Sequence, residues 1–302
     1  MRAFFYILSR SRVESYGLQW YSKQGQFIEV VMMWINGAEQ TQLAARDRAV
    51  QFGDGCFTTA AVINGQIQLL AAHLQRLKQG CERLLMAEPD WQQLEAEMLA
   101  AAQGQQRAVL KVILTPGAGG RGYSRSGCSH PTRILSLSPW PHHYQTLQQQ
   151  GARLVTSPVP LARNPLLAGI KHLNRLEQVL IRHHLDQTAA DEALVLDTEG
   201  TVVECCAANL FWREGDEIFT PRLDQAGVAG IMRRFLMAQM AAAGQDCQLI
   251  DGNRERILAA DEVVICNALM PVLPVRSIDD VSFTARSLYQ KLLGSCQKME
   301  AP

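Results

Sequence analysis

Asn64-Gly65 constrains this chain more than any other pair of residues. The flanking runs, 57–63 and 67–70, are rich in β-formers. Asn-Gly supplies the two positive φ values that a tight hairpin turn demands. An antiparallel hairpin is therefore predicted here. Directly afterwards Leu74, Leu77, Cys81, Leu84 and Leu85 recur at helical spacing, which predicts an amphipathic helix over 71–86. A second helix is predicted over 91–102, then strands over 108–115 and 133–137, with a glycine-rich loop at 117–123 between them. Strands and helices in this arrangement indicate α+β, or mixed α/β, architecture.

Ser138-Pro139-Trp140-Pro141-His142-His143 interrupts the periodicity and reads as an interdomain linker. Two domains are expected: a smaller α+β unit over 32–138, a linker over 139–147, and a larger unit over 148–302. In the larger unit the pattern predicts strands over 152–157, 192–196, 202–206, 210–213, 217–220 and 262–266. Helices are predicted from Lys171 to 187, over 230–243 and over 254–260, with a polar tail at the C-terminus. Residues 47–55 read as a glycine-punctuated loop. The first 31 residues read as an extension outside the core, with Met32 or Met33 as the working start. The apolar run 4–8 is too short for a signal peptide, and Arg10 and Arg12 follow where a small-residue cleavage site would stand.

The formal net charge is zero, so the chain shows no electrostatic footprint for nucleic acid or an anionic membrane. No apolar run approaches the roughly 20 residues of a membrane-spanning helix. The eight cysteines show neither a CxxC pair nor metal-ligand spacing, which predicts packing thiols in a reducing, cytoplasmic setting and no metal.

Only six lysines are present, and four lie in polar or irregular segments. Lys111 and Lys171 have apolar neighbours, and desolvation is what lowers an amine's pKa enough to make it a nucleophile or base. Lys111 alternates with Leu110 and Val112 as an outward strand residue would. Lys171 follows Ile170 at the mouth of a predicted helix, a position that suits either a solvated lysine or a buried reactive amine. Glu204 stands among Val202, Val203, Cys205 and Cys206, which favours a strand buried on both faces over an exposed one. Gly230-Ile231-Met232 opens a helix, where free amides favour an anion. His73 and Arg76 lie one turn apart on one helix face.

Taken in order, several blocks resemble the fold-type IV pyridoxal-phosphate enzymes. They are Gln51-Phe52-Gly53-Asp54-Gly55, His73-Leu74-Gln75-Arg76-Leu77, Gly119-Gly120-Arg121-Gly122-Tyr123, Ile170-Lys171-His172-Leu173-Asn174-Arg175-Leu176, Glu204-Cys205-Cys206-Ala207-Ala208-Asn209, Gly230-Ile231-Met232-Arg233 and Cys266-Asn267-Ala268-Leu269-Met270-Pro271. The resemblance covers residues 32 to about 290. It implies a homodimer whose larger domain has a barrel-like sheet, with pyridoxal 5'-phosphate between the domains. Lys171 matches the lysine that carries the cofactor, and Glu204 the carboxylate facing the pyridine nitrogen. Arg76, the amides of Ile231 and Met232, and Asn267 with Ala268 match the phosphate site. Arg121 matches a carboxylate-binding arginine on a loop able to close over a ligand, and Tyr123 and Asn209 line the pocket.

The opening of that loop departs from its relatives, with Thr115-Pro116-Gly117 where a serine or threonine, then arginine and glycine are common. His172, adjacent to the lysine on a helix, would point about 100° away from it. The implied activity is elimination of pyruvate from 4-amino-4-deoxychorismate to leave 4-aminobenzoate. The alternatives are an aminotransferase of D-amino or branched-chain amino acids on the same scaffold, and a cofactor-free binding protein of the same fold.

Overall fold

In the computed structural model, residues 20–21, 27–28, 31–141 and 144–296 are described, so the expectation for the N-terminal extension falls largely outside the described residues. The first sheet has six strands in the order Ala38–Glu39, Met32–Ile35, Thr132–Pro139, Arg107–Thr115, Cys56–Ile63 and Gln66–Ile67. All its pairings are antiparallel. The hairpin forms as predicted, with Asn64 at φ 50° and Gly65 at φ 77°. Helices Leu70–Arg83 and Trp91–Ala102 cover one face, burying Leu77, Cys81, Leu94 and Met98 against Ala60, Leu110 and Leu114. Each wholly buried leucine contributes roughly 1.5–3 kcal/mol. Asp90 caps the second helix by accepting from the Gln92 and Gln93 N–H groups.

Local differences from the sequence reading have local causes. The second hairpin strand stops at Ile67 because Leu69 turns left-handed at φ 55°, and the helix begins at once. Residues 47–55 hold a short helix, Arg48–Phe52, which Asp47 opens and Gly53 closes at φ 62°. Five helical residues carry too little periodicity to be read. The proposed linker is not a bare connection. Pro139 ends a strand, Trp140 packs with Ala61, Val109 and Leu269, and helix Tyr144–Gln150 follows.

The second sheet has nine strands. Eight run in the order Val202–Cys205, Glu192–Leu196, Ala152–Thr156, Leu273–Ile278, Glu262–Cys266, Asn209–Glu214, Glu217–Pro221 and Cys247–Ile250, and Val281–Ser282 pairs with Leu273–Ile278. The sheet is mixed. Ala152–Thr156 lies parallel to both its neighbours, as does Glu217–Pro221 to Cys247–Ile250. It curls so that Val202–Cys205 returns beside Asn209–Glu214.

Helices Ile231–Ala242 and Ser287–Cys296 bury Met232, Leu236, Leu288 and Leu292 on it. Ser287–Cys296 replaces most of the expected polar tail. Its start is capped by the buried Glu262 carboxylate, which accepts from the Leu288 and Tyr289 N–H groups at 2.9 and 2.8 Å. A cap 25 residues away is invisible to local pattern. Among the described residues all eight cysteines are free, and no helix is long and apolar enough to cross a membrane.

Candidate active site

Where the two sheets meet, the backbone of Lys171 is held in extended conformation. The Phe57 N–H donates to the Lys171 carbonyl, the Leu173 N–H donates to the Gly55 carbonyl, both at 2.9 Å, and Cys56 bridges His172. Gly55 permits this approach, since a Cβ there would stand 2.8 Å from Leu173 Cδ1 and 2.3 Å from the Leu114 carbonyl oxygen. These sideways hydrogen bonds keep residues 170–173 out of a helix. The helix expected to begin at Lys171 begins instead at Leu176 and ends at Leu185. Arg175 braces the same segment, donating to the His172 carbonyl at 2.9 Å and to the Ile170 carbonyl. His172 is thus separated from Lys171 by extended-chain alternation, not by the 100° step of a helix. Burial draws its imidazole down to about 4.

Lys171 Nζ lies 4.6 Å from the centre of the Phe57 ring. Burial, reinforced by the charges of Arg76 and Arg175, pulls its ammonium down to about 7 against the opposing attraction of Glu204. At neutral pH a large fraction of the amine is therefore free base.

Glu204 sits on the wholly buried strand Val202–Cys205. Burial pushes its carboxyl up, while the Val228 N–H, donating at 2.8 Å, and the Arg175 and Lys171 charges pull it down. The turn 227–230 is pressed onto the strand ends by close contacts. At Gly227, φ 83°, a Cβ would meet Val203 at 2.5 Å. At Gly230 it would meet Asn209 Oδ1 at 1.9 Å. Asn209 is buried here and donates to the Val228 carbonyl at 2.9 Å. Gly230 gives the following helix no side-chain cap, and the first intrahelical bond runs from the Arg234 N–H to its carbonyl. The amides of Ile231 and Met232 are therefore left without helical acceptors.

A cavity of about 620 Å³ brings together Lys171, Phe57, Arg76, Ala229 and Arg234. Arg76 Nε is buried with no protein partner. Burial, then the neighbouring charge of Arg234, draws this guanidinium down to about 9. His73, on the same helix face, is instead a core group: its Nδ1 pairs with Thr58 Oγ1 at 2.6 Å, and burial lowers it to about 3.

The other expected residues lie further out. Asn267 uses its side chain on the Ala207 carbonyl and on the Leu269 and Met270 amides, fixing the turn that carries half-buried Ala268. Arg121 and Tyr123 are exposed and do not border the Lys171 cavity. Their loop is braced: buried Arg48 donates to the Gly122, Tyr123 and Ser124 carbonyls at 3.1–3.2 Å and pairs with Asp54 at 2.7 Å. Contrary to what its alternation along the strand predicts, Lys111 does not point outward. Its Nζ lies 5.0 Å from the Phe57 ring centre, burial lowers its ammonium, and it lowers Lys171 in turn. The missed signal is parity: Lys111 shares a sheet face with Val109, which is buried against Trp140.

The amino-transferase class IV family matches residues 55–278. The chain belongs to the amino-transferase class IV family. Among members of this family, an aminodeoxychorismate lyase from Vibrio harveyi is 37% identical over 268 residues, covering 87% of this chain and 99% of that protein. The crystal structure of 4-amino-4-deoxychorismate lyase from Pseudomonas aeruginosa superposes with a TM-score of 0.84 at 38% identity, covering 88% of this chain and 98% of that one. A putative branched-chain-amino-acid aminotransferase from Methanocaldococcus jannaschii is 25% identical, covering 82% of this chain and 88% of that protein.

Proposed function

We propose that this protein is a pyridoxal-phosphate-dependent lyase that converts 4-amino-4-deoxychorismate to 4-aminobenzoate and pyruvate. The observation that carries the choice of reaction is near full-length likeness, at 37–38% identity, to two lyases of that name. The residues fit the cofactor. A buried amine with a lowered pKa faces a cavity that also holds the unpartnered Nε of Arg76, and Glu204 is buried close enough to influence that amine.

Lys171 would hold the cofactor, with Glu204 at its ring nitrogen. Arg76, the amides of Ile231 and Met232, and the Asn267–Ala268 turn would form its phosphate site, with Asn209 locking the turn before that helix. When bound, the cofactor supplies an electron sink for charge developing on the substrate carbon next to the amine. Lys171, a large fraction of it free base at neutral pH, would take the proton from that carbon. The bond from the neighbouring carbon to the enolpyruvyl oxygen would then break, the ring would become aromatic, and the released enolate would take up the proton that Lys171 removed to become pyruvate. Lys111, on the site face of its sheet, is a cation available to a substrate carboxylate.

The rest of the reading is architectural. Segments 32–138 and 148–302 act as two domains joined by 139–147, and the enzyme works in the cytoplasm as a homodimer. Exposed Leu176, Val179 and Leu180 on one helix support a covered face. The braced, outward loop suits a role for Arg121 and Tyr123 in the partner's site, where Arg121 would clamp a substrate carboxylate.

The test is incubation of the holoenzyme with 4-amino-4-deoxychorismate, following 4-aminobenzoate fluorescence and pyruvate together. Equal release of both is expected. Amino transfer from D-alanine or a branched-chain amino acid to a 2-oxo acid, without pyruvate release from the chorismate, would replace this reading by that of an aminotransferase.

A further inference from the structure

Two arginines approach one another across the Lys171 cavity. Arg76 projects from helix Leu70–Arg83 and Arg234 from the first turns of helix Ile231–Ala242. Each is half-buried, and the charge of Arg234 weighs on both Arg76 and His73. Such a pair repels unless an anion lies between. Among the described residues, neither arginine forms an ion pair. Glu82 and Asp224 border the same cavity, but neither acts on either guanidinium. Arg83, also on this cavity, is engaged with the Ala168 and Leu166 carbonyls.

Arg234 has one protein partner, a long bond of 3.4 Å to Gln79 Oε1. Its neighbour Arg233 shows what a structural arginine looks like here: buried, donating to Thr220 Oγ1 at 2.9 Å and to the Pro221 carbonyl at 2.7 Å. Arg234 also stands near the positive end of its own helix, where a cation is disfavoured. The unpartnered Arg76 Nε and the unneutralised Arg234 border one cavity, and Arg234 stands within the first turn after the free amides that open its helix.

We propose that Arg234 is a second cation for the phosphate group of the cofactor, facing Arg76 across the cavity at the start of helix Ile231–Ala242. The proposal rests on the pyridoxal-phosphate reading given above. A phosphate monoester carries up to two negative charges at neutral pH, so two guanidiniums and a helix N-terminus match it better than one guanidinium alone.

The test compares wild-type protein with Arg234→Gln and Arg234→Lys, each titrated with pyridoxal 5'-phosphate and with pyridoxal, which lacks the phosphate. The readout is the visible absorption of bound cofactor. Arg234→Gln should raise Kd for pyridoxal 5'-phosphate by about tenfold and leave that for pyridoxal within about twofold. Arg234→Lys should recover part of the loss, and the salt dependence of Kd should be shallower in the glutamine variant. Unchanged affinity for pyridoxal 5'-phosphate overturns the proposal. So does equal weakening of both ligands, which means a structural arginine. Normal cofactor affinity with a raised KM also overturns it, by moving Arg234 to a substrate carboxylate. Failure of the wild-type protein to bind pyridoxal 5'-phosphate would instead remove the parent reading. A matching thermal melt for Arg234→Gln separates lost affinity from lost folding.

Discussion

Lys171 owes its reactivity to surroundings rather than to its own side chain. An ordinary lysine is almost entirely protonated at pH 7, and burial beside Arg76 and Arg175 brings this one down to about 7. Because the folded pKa is depressed, the free amine appears as pH rises through about 7 instead of above 10. Borohydride trapping of pyridoxal phosphate on cofactor-free protein should thus accelerate up to that pH and then level off. Peptide mapping should place the label on Lys171. Label on Lys111, or a rate still climbing at pH 10, would sink the assignment. Glu204 is the complementary residue. Glu204→Gln keeps the shape and removes the charge, so the cofactor should stay bound while turnover falls about a hundredfold or more. Undiminished turnover would make Glu204 a structural group.

At the scale of elements, the site is made by ends and turns. The strand carrying Glu204, the turn 227–230 and the helix opened by Gly230 are locked through Asn209 and Val228. Gly230 has an ordinary φ, so its requirement is space alone. Gly230→Ala should force Asn209 off the Val228 carbonyl and cost about 1–3 kcal/mol. Differential scanning calorimetry would show the lower Tm, and cofactor titration a weaker phosphate site. A variant with unchanged melt and affinity would show that Asn209 moves freely.

At the scale of the molecule, Arg121 stands apart from the cavity that holds Lys171. If its loop serves the partner of a dimer, Arg121→Ala should lower kcat/KM ten- to a hundredfold, roughly, with the cofactor spectrum intact. Coexpressing the inactive Lys171→Ala chain with the weakened Arg121→Ala chain should raise activity to about a quarter of wild type, above that of Arg121→Ala alone. Half of randomly paired dimers are mixed, and each mixed dimer has one complete site. No recovery would place Arg121 in its own subunit's site or in none.

Much of this protein was legible in its residues. Asn64-Gly65, the leucine spacing of the first long helix and the apolar strand around Glu204 specified their elements, because turn sterics and burial periodicity act over a few residues. The ordered blocks pointed to the family that residues 55–278 match. Other features depended on partners distant in sequence. Lys171 left the expected helix because Gly55 and Phe57 hydrogen-bond its segment from the side, and the C-terminal helix gained its cap from Glu262. Lys111 shares its sheet face with Val109, buried against Trp140, and its Nζ reaches the Phe57 ring. The glycine loop is braced because Arg48, some 75 positions away, reaches its carbonyls. Local sequence sets local geometry and which residues prefer burial. Which buried groups share one low-dielectric cavity, and so how far each pKa moves, is decided only by tertiary packing.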